Sequence, residues 1–471
     1  SMLAVTVVQN VVAFVIAWEI MSLSSFFLVA FENEREEVYQ ASINYLIAMH
    51  VGVLFLIGGF LAAAYKSGSF DFASFSAVFA ENKGLADLVF VLLFVGFGTK
   101  AGFVPFHTWL PKAHPAAPSH ISGLMSGIMI KTGIYGILRV ITLIKNPGVE
   151  IAYFVLIISV LSGILGVAYA IAQHNIKKLL AYHSVENIGI IGIGIGLGML
   201  GLAYEIEPLA LLGFAGGILH VLNHSLFKSL LFFATGGVYQ KTHLLDIEKL
   251  GGLVKFMTFT ALAFMVGSIA ISGLPPFNGF VSEFFIYWGM LKGLTTGKTL
   301  LSIAMVISFA SLAFIGAMAL LCFTKVFGVV FLGSPRSAYH TTPAEVSFSM
   351  QAAMVVQMIM IVLIGLFPQY AFTGICMVAQ TFLTGAGAPF DASAYMATLG
   401  GVSTGLLIFI GIFIVIFALR YLLLRKRSVY EYKTWDCGYQ AGNVRMQYTA
   451  SSYAAPFLRV IRVLFSWNVH L

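Results

Sequence analysis

Apolar runs of about 20 residues recur along almost the whole chain, and this recurrence constrains the backbone more than any other feature of the sequence. As an α-helix such a run matches the hydrocarbon thickness of a bilayer. Lipid offers no partner to an unpaired amide, so only helices or closed barrels can cross it. The alternating ten-residue pattern of a barrel is absent. With 59% of residues hydrophobic and only 10% charged, lipid is the solvent of the outer surface. The expected fold class is all-α, a polytopic membrane protein.

Reading the runs and their polar breaks places spans near 11–30, 39–64, 85–110, 121–144, 149–172, 188–203, 209–235, 256–291, 300–331, 346–367 and 398–424, about eleven crossings in all. Residues 371–384 are a candidate half-span, and 425–471 is a polar tail whose last part, Pro456 to Trp467, is amphipathic. Alternating the spans gathers Arg35, Lys112, Lys177, Lys178, Lys241, Lys249, Lys255, Arg336, Arg425, Lys426 and Arg427 on one side. Lys66, Lys83, Lys145, Lys292 and Lys298 fall on the other, so the first side reads as cytoplasmic. The net charge of +7 is scattered over these short loops rather than gathered on one face, which argues against nucleic acid as a partner. Cys322, Cys376 and Cys437 form no CxxC pair and are too few for an iron–sulfur cluster, so no redox cofactor is expected in this chain. Leu3 to Val8 lacks the charged start and small-residue cleavage site of a signal peptide, so none is expected.

Two spans are interrupted by similar sequences, Gly102-Phe103-Val104-Pro105-Phe106 and Gly273-Leu274-Pro275-Pro276-Phe277, lying 171 residues apart. The chain therefore reads as internally duplicated. Five spans separate the start of one copy from the start of the next, and an odd number inverts the second. The expected division is a first repeat over 1–144, a second, inverted repeat over 145–331, peripheral helices over 332–424 and the tail. Glycine and proline free carbonyls and amides that lipid would not tolerate but a hydrated cavity would. One such break would most simply accommodate packing; two matched breaks favour a transport site between the repeats.

An ionisable side chain near a helix centre costs about 2.5–3.5 kcal/mol on insertion scales, which makes each a functional candidate. Glu19 lies nine residues into its span, Lys100 just before the first break, Lys131 in mid-span and Glu283 just after the second break. His50 and Lys325 are weaker candidates: the first reads equally as a core histidine, the second as a lysine snorkelling to an interface. His220, His224 and Lys228 are spaced by four and share one helix face. Two histidines in line with a lysine can pass a proton through water. A metal site is the competing reading, but no third ligand lies nearby and the residues between the histidines are Val221-Leu222-Asn223. His107, His114 and His120 lie in a proline-rich stretch and read as surface or vestibule. An acid drawn toward a buried lysine holds it charged; drawn away, it lets the lysine release its proton to the next group.

At these residues the sequence resembles the antiporter-like subunits of respiratory complex I, of multi-subunit sodium/proton antiporters and of energy-converting hydrogenases. The resemblance covers nearly the whole chain. Trp18-Glu19 matches the family's fifth-helix glutamate, Gly98-Thr99-Lys100-Ala101-Gly102 through Trp109-Leu110-Pro111 its seventh-helix lysine and break, and Lys131 its eighth-helix lysine. His220, His224 and Lys228 match the eleventh helix, and Glu283 falls where the twelfth carries lysine or glutamate. The loop His183-Ser184-Val185-Glu186-Asn187 and the tail from Thr434-Trp435-Asp436-Cys437 through Met446 to Ser452 are similar to the hydrogenase-4 and formate hydrogenlyase branch, which adds His183 and Glu186 as candidates. Family members carry three further helices and most of a fourth before the point matching Val11, so the resemblance implies a fragment or a shortened member.

What the resemblance implies is a proton-translocating subunit in a prokaryotic cytoplasmic membrane. Iron–sulfur clusters and a nickel–iron site would lie in partner membrane and peripheral subunits of a hydrogenase- or complex I-like assembly. Two rivals stand beside it: sodium as the coupled ion, and a non-conducting structural subunit.

Overall fold

The apolar runs become helices whose lipid-facing sides stay apolar and whose polar residues turn inward. The computed structural model describes residues 1–145, 147–339, 341–383, 393–428, 430 and 446–465, leaving aside the side chains of 394 and 460–465. In chain order the helices are α1 Met2–Val7, α2 Val11–Val29, α3 Glu36–Ser67, α4 Phe75–Glu81, α5 Lys83–Ala101 and α6 Leu110–Ala116. They continue with α7 Ser119–Leu124, α8 Ile130–Ile144, α9 Val149–Ile171, α10 Ile176–Ala203, α11 Glu207–Thr242 and α12 Thr258–Ile271. The last are α13 Asn278–Leu294, α14 Thr299–Val330, α15 Phe348–Leu366, α16 Pro368–Leu383, α17 Ser393–Leu424 and α18 Ala450–Phe465. Among the described residues there is no strand, and ten helical segments are long and apolar enough to cross a membrane. The eleventh crossing is the broken pair α12 and α13, whose 14 and 17 residues are each too short alone.

Both breaks appear where the Gly-Pro sequences stand. Gly102 closes α5 with φ 92° and Gly273 follows α12 with φ 65°, backbone that a Cβ would strain. Trp109 Nε1 donates to the Thr99 carbonyl at 2.8 Å, supplying one of the partners that α5 loses by stopping. A second matched feature supports duplication. The Asn10 side chain accepts from the Val12 amide, while Val11 N donates to Phe70 O and Phe72 N to Gln9 O. Asn175 does the same for α10: its side chain accepts from the Lys178 amide, Ile176 N donates to Leu245 O, and Ile247 N to His174 O. The starts of α2 and α10 are thus each tied to a later loop by the same cross-bridge.

Two expectations need correction. The span placed at 188–203 begins twelve residues earlier, at Ile176, because the polar stretch Lys177 to Asn187 is helical and faces protein rather than lipid. The span drawn to 110 stops at Ala101, and the crossing is completed by turns and α6. The candidate half-span is α16, which buries Phe372, Cys376 and Ala379 on one face and stacks Phe382 on Phe214 with ring centroids 4.5 Å apart. Thr434 to Tyr439, with Cys437, lie outside the described residues. The tail after them docks: Ser451 donates to Glu248 Oε1 from its amide at 2.8 Å and its hydroxyl at 2.7 Å, and Arg336 Nη2 donates to Tyr448 O at 2.8 Å.

α10 forms the axis of the bundle, pressed between α9 and α11 with small residues at the crossings. A Cβ at Gly194 would stand 2.7 Å from the Gly217 backbone, which cannot swing aside, whereas one at Gly58 would meet nothing within 4 Å. Gly194→Val is expected to cost about 1–3 kcal/mol or more of stability by overpacking. Gly58→Val should stay within about 0.5 kcal/mol. Thermal unfolding of the two variants in detergent measures the difference; equal melting temperatures would refute the packing argument.

Candidate ion-transfer row

Ionisable side chains that the spans carry inward meet in one chain of contacts. At its first end Lys100 occupies the last turn of α5, where the negative pole of the helix favours a cation. It is buried, and its Nζ donates to Tyr45 OH at 3.0 Å and Ser22 Oγ at 3.3 Å, with the Trp18 ring centroid 5.9 Å away. Glu19, one residue beyond Trp18 on α2, is rotated toward the rim and stays a quarter exposed. Its Oε2 lies 3.6 Å from His50 Nε2, and it is not within 4.0 Å of Lys100. His50 is half exposed on α3 rather than a core histidine. Glu19 and Lys100 are near enough to feel each other's charge without forming an ion pair.

The next station depends on a widened turn. Met125–Met129 form a π-helix between α7 and α8, and such bulges leave carbonyls out of register with the α-helical ladder. Lys131 Nζ donates to one of them, Ser126 O, and contacts His224 Nδ1 on α11. Ser225 Oγ donates to another, Gly127 O. Ser126 Oγ meets Ser184 Oγ of α10 at 2.8 Å, Ser184 Oγ donates to Leu180 O at 3.2 Å, and Lys228 Nζ donates to that same carbonyl. Lys131 and Lys228 each rest on a backbone carbonyl, Ser126 O and Leu180 O, with the Ser126–Ser184 hydroxyl pair between them, and Lys228 shares α11 with the His224 that Lys131 contacts.

His220 carries the chain to the second break. Its Nε2 pairs with Asn187 Oδ1 at 3.0 Å and its Nδ1 with Ser282 Oγ at 2.9 Å, next to Glu283. Glu283 is buried against Gly273, where a Cβ would stand 2.7 Å from its Oε2, and it faces a cavity of about 370 Å³ lined also by Pro275, Tyr287 and Leu320. Gly102, Pro105, Gly273, Pro275 and Pro276 thus bend the chain beside Lys100 at one end and Glu283 at the other.

Two sequence expectations change. His114 is not in a vestibule: it is wholly buried on α6, stacked on Phe232 with centroids 5.0 Å apart and interacting electrostatically with Lys228, Lys177 and Lys131. Its proline-rich setting read as a loop because α6 is a short helix after a break. His120 is exposed at a cavity of about 1260 Å³, lined also by Arg35, Lys112, Lys177, Lys178 and Tyr239. Lys177 Nζ, at the wall of that cavity, donates to Ala117 O at 2.9 Å. Lys325 does not snorkel. It is fully buried, and its Nζ donates to the Ile171 and Gln173 carbonyls at 2.6 and 3.0 Å, capping α9. His183 and Glu186 are both wholly buried and bonded to each other. Ser126, Ser184 and Asn187 were missed, since short polar residues carry no sequence signal without their partners. Among the described residues no group of three or more His, Cys, Asp or Glu is placed to hold a metal ion.

Two matched helix breaks and a buried Lys/His/Glu row define a membrane-embedded, antiporter-like class of protein. Residues 8–310 match the family described as NADH:quinone oxidoreductase/Mrp antiporter, transmembrane, and the chain belongs to that family. It is 41% identical over 385 residues to hydrogenase-4 component B of Escherichia coli K12, covering 81% of this chain and 57% of that protein. It is 37% identical over 331 residues to formate hydrogenlyase subunit 3 of the same organism, covering 70% of this chain and 53% of that one. The chain thus spans little more than half the length of these relatives. A subunit of the membrane-bound sulfane sulfur reductase, an archaeal respiratory membrane complex, shares the fold, with TM-score 0.68 and 21% identity over 83% of this chain and 74% of that one.

Because Lys325 holds backbone carbonyls and lies off the row, Lys325→Met is expected to destabilise the protein by about 1–3 kcal/mol and leave ion transfer per folded molecule intact. Melting temperature and transport measured on one preparation check this; lost transport at unchanged stability would return Lys325 to the row.

Proposed function

We propose that this chain translocates protons across a prokaryotic cytoplasmic membrane as one subunit of a redox-driven hydrogenase- or complex I-like assembly. Partner subunits would supply the iron–sulfur clusters and nickel–iron site, and Glu19, Lys100, Lys131, His220, His224, Lys228 and Glu283 would carry the proton here. The observation that carries the reading is the contact of Lys131 with His224, which shares α11 with Lys228 and with His220, whose Nδ1 reaches Ser282 at the edge of Glu283. Lysine and histidine held in contact exchange a proton without leaving a new charge behind, which suits an interior where an unpaired ion is costly. The large cavity beside Lys177, with His114 behind it, would serve as the inlet, and 1–144 and 145–331 as the inverted repeats that the row joins.

Glu19 and Lys100 are the coupling pair in this reading. Their separation lets Glu19 approach or retreat from the lysine as neighbouring subunits move, setting whether Lys100 keeps its proton. Relatives named for hydrogenase-4 and formate hydrogenlyase support the redox-driven setting. Lys100→Ala is expected to abolish proton uptake by inverted vesicles or proteoliposomes containing the native complex; undiminished pumping would overturn the assignment.

A further inference from the structure

The buried pair His183 and Glu186 is not needed for a path from Lys131 through His224 and His220 to Glu283, yet it occupies the core of the second repeat. We propose that Glu186, oriented by His183, is a proton-carrying acid coupled to Lys228, so that each repeat contains its own acid–lysine pair. This rests on the proton-transfer reading above.

The repeat itself points to it. Asn10 and Asn175 form the same cross-bridge, and the helix that each one starts carries one carboxylate, on the third turn of α2 and at the start of the fourth turn of α10: Glu19 follows Asn10 by 9 residues and Glu186 follows Asn175 by 11. The two acids differ in setting, since Glu19 lies at the rim and Glu186 is fully enclosed. Glu186 Oε2 is bonded to His183 Nδ1, and Asn187 Nδ2 approaches it at 3.5 Å. Oε1 has no hydrogen-bond partner among the described residues, while the His183 ring also meets the Cys322 thiol. A carboxylate that only braced the helix would be bonded at both oxygens; a buried acid held at one oxygen and open at the other is placed to take up and release a proton.

The neighbours are the right ones. Lys228 Nζ rests on Leu180 O, one turn before His183 on α10, and Glu186 interacts electrostatically with both Lys228 and Glu283. Asn187 Oδ1 also accepts from His220 Nε2, and His220 reaches Ser282 beside Glu283 through Nδ1. A proton leaving the Lys228 ammonium for the Glu186 carboxylate forms an O–H bond as an N–H bond breaks, leaving a neutral amine and a neutral acid. Passing on through water to the Glu283 carboxylate, it restores the Glu186 anion, ready for the next proton that recharges Lys228.

Glu186→Gln keeps the size and can still bond His183, so in the reconstituted native complex it should lower proton uptake by at least about tenfold, with Glu186→Asp recovering part of it. A buried carboxylic-acid C=O stretch that shifts in heavy water should disappear in Glu186→Gln and persist in Glu283→Gln. Wild-type pumping by Glu186→Gln, where Lys100→Ala abolishes it, would overturn this inference and spare the broader reading; wild-type pumping by both would end both. If Glu186→Gln does not assemble, Lys228→Gln decides: the same infrared band must change in it, and an unchanged band refutes the pairing.

Discussion

A charge cannot face hydrocarbon without large cost, and most of the architecture follows from that constraint. Six of the seven residues proposed as the row, all but Glu19, are buried within the protein. α10 and α11 carry most of the polar core and accordingly lie at the centre, wrapped by helices whose outer faces remain apolar. The glycines of α10 serve the same end, since tight crossings exclude lipid from helices that hold His183, Glu186, His220 and Lys228.

Enclosure alone would fix the charges in place, and the local departures from helical regularity are what give them partners. The break after Ala101 leaves Lys100 at a helix terminus, the π-helix turns Ser126 O toward Lys131, and the break after Ile271 sets Glu283 against a glycine and a cavity. Each irregularity adjoins an ionisable group. Hydroxyls and amides of Ser126, Ser184, Asn187 and Ser282 then join groups that sequence spacing leaves on different helices.

The fold class and the two breaks were legible because lipid imposes long apolar runs and because glycine and proline mark interruptions directly. The start of α10 was not, for the reason that makes it central: Lys177 to Asn187 face protein, so hydropathy reads a buried helix as a loop. His114 was misplaced for a related reason, its short helix lying after a break among prolines. Glu19 and Lys100 stand on two separate helices, and the structure shows them neighbouring without an ion pair, a distance that spacing along the chain does not encode. Lys325 shows a related limit: composition marks a buried lysine, and only the structure shows that it bonds the carbonyls at the end of α9.

The central claim is that the ion carried by this row is the proton, passed between side chains. The most direct measurement follows acidification of liposomes containing the native complex, with a pH-sensitive dye inside, in medium free of sodium and at fixed external pH. Proton movement at full rate without sodium, collapsed by a protonophore, is the predicted result. Movement that requires sodium and is enhanced by the protonophore would contradict it.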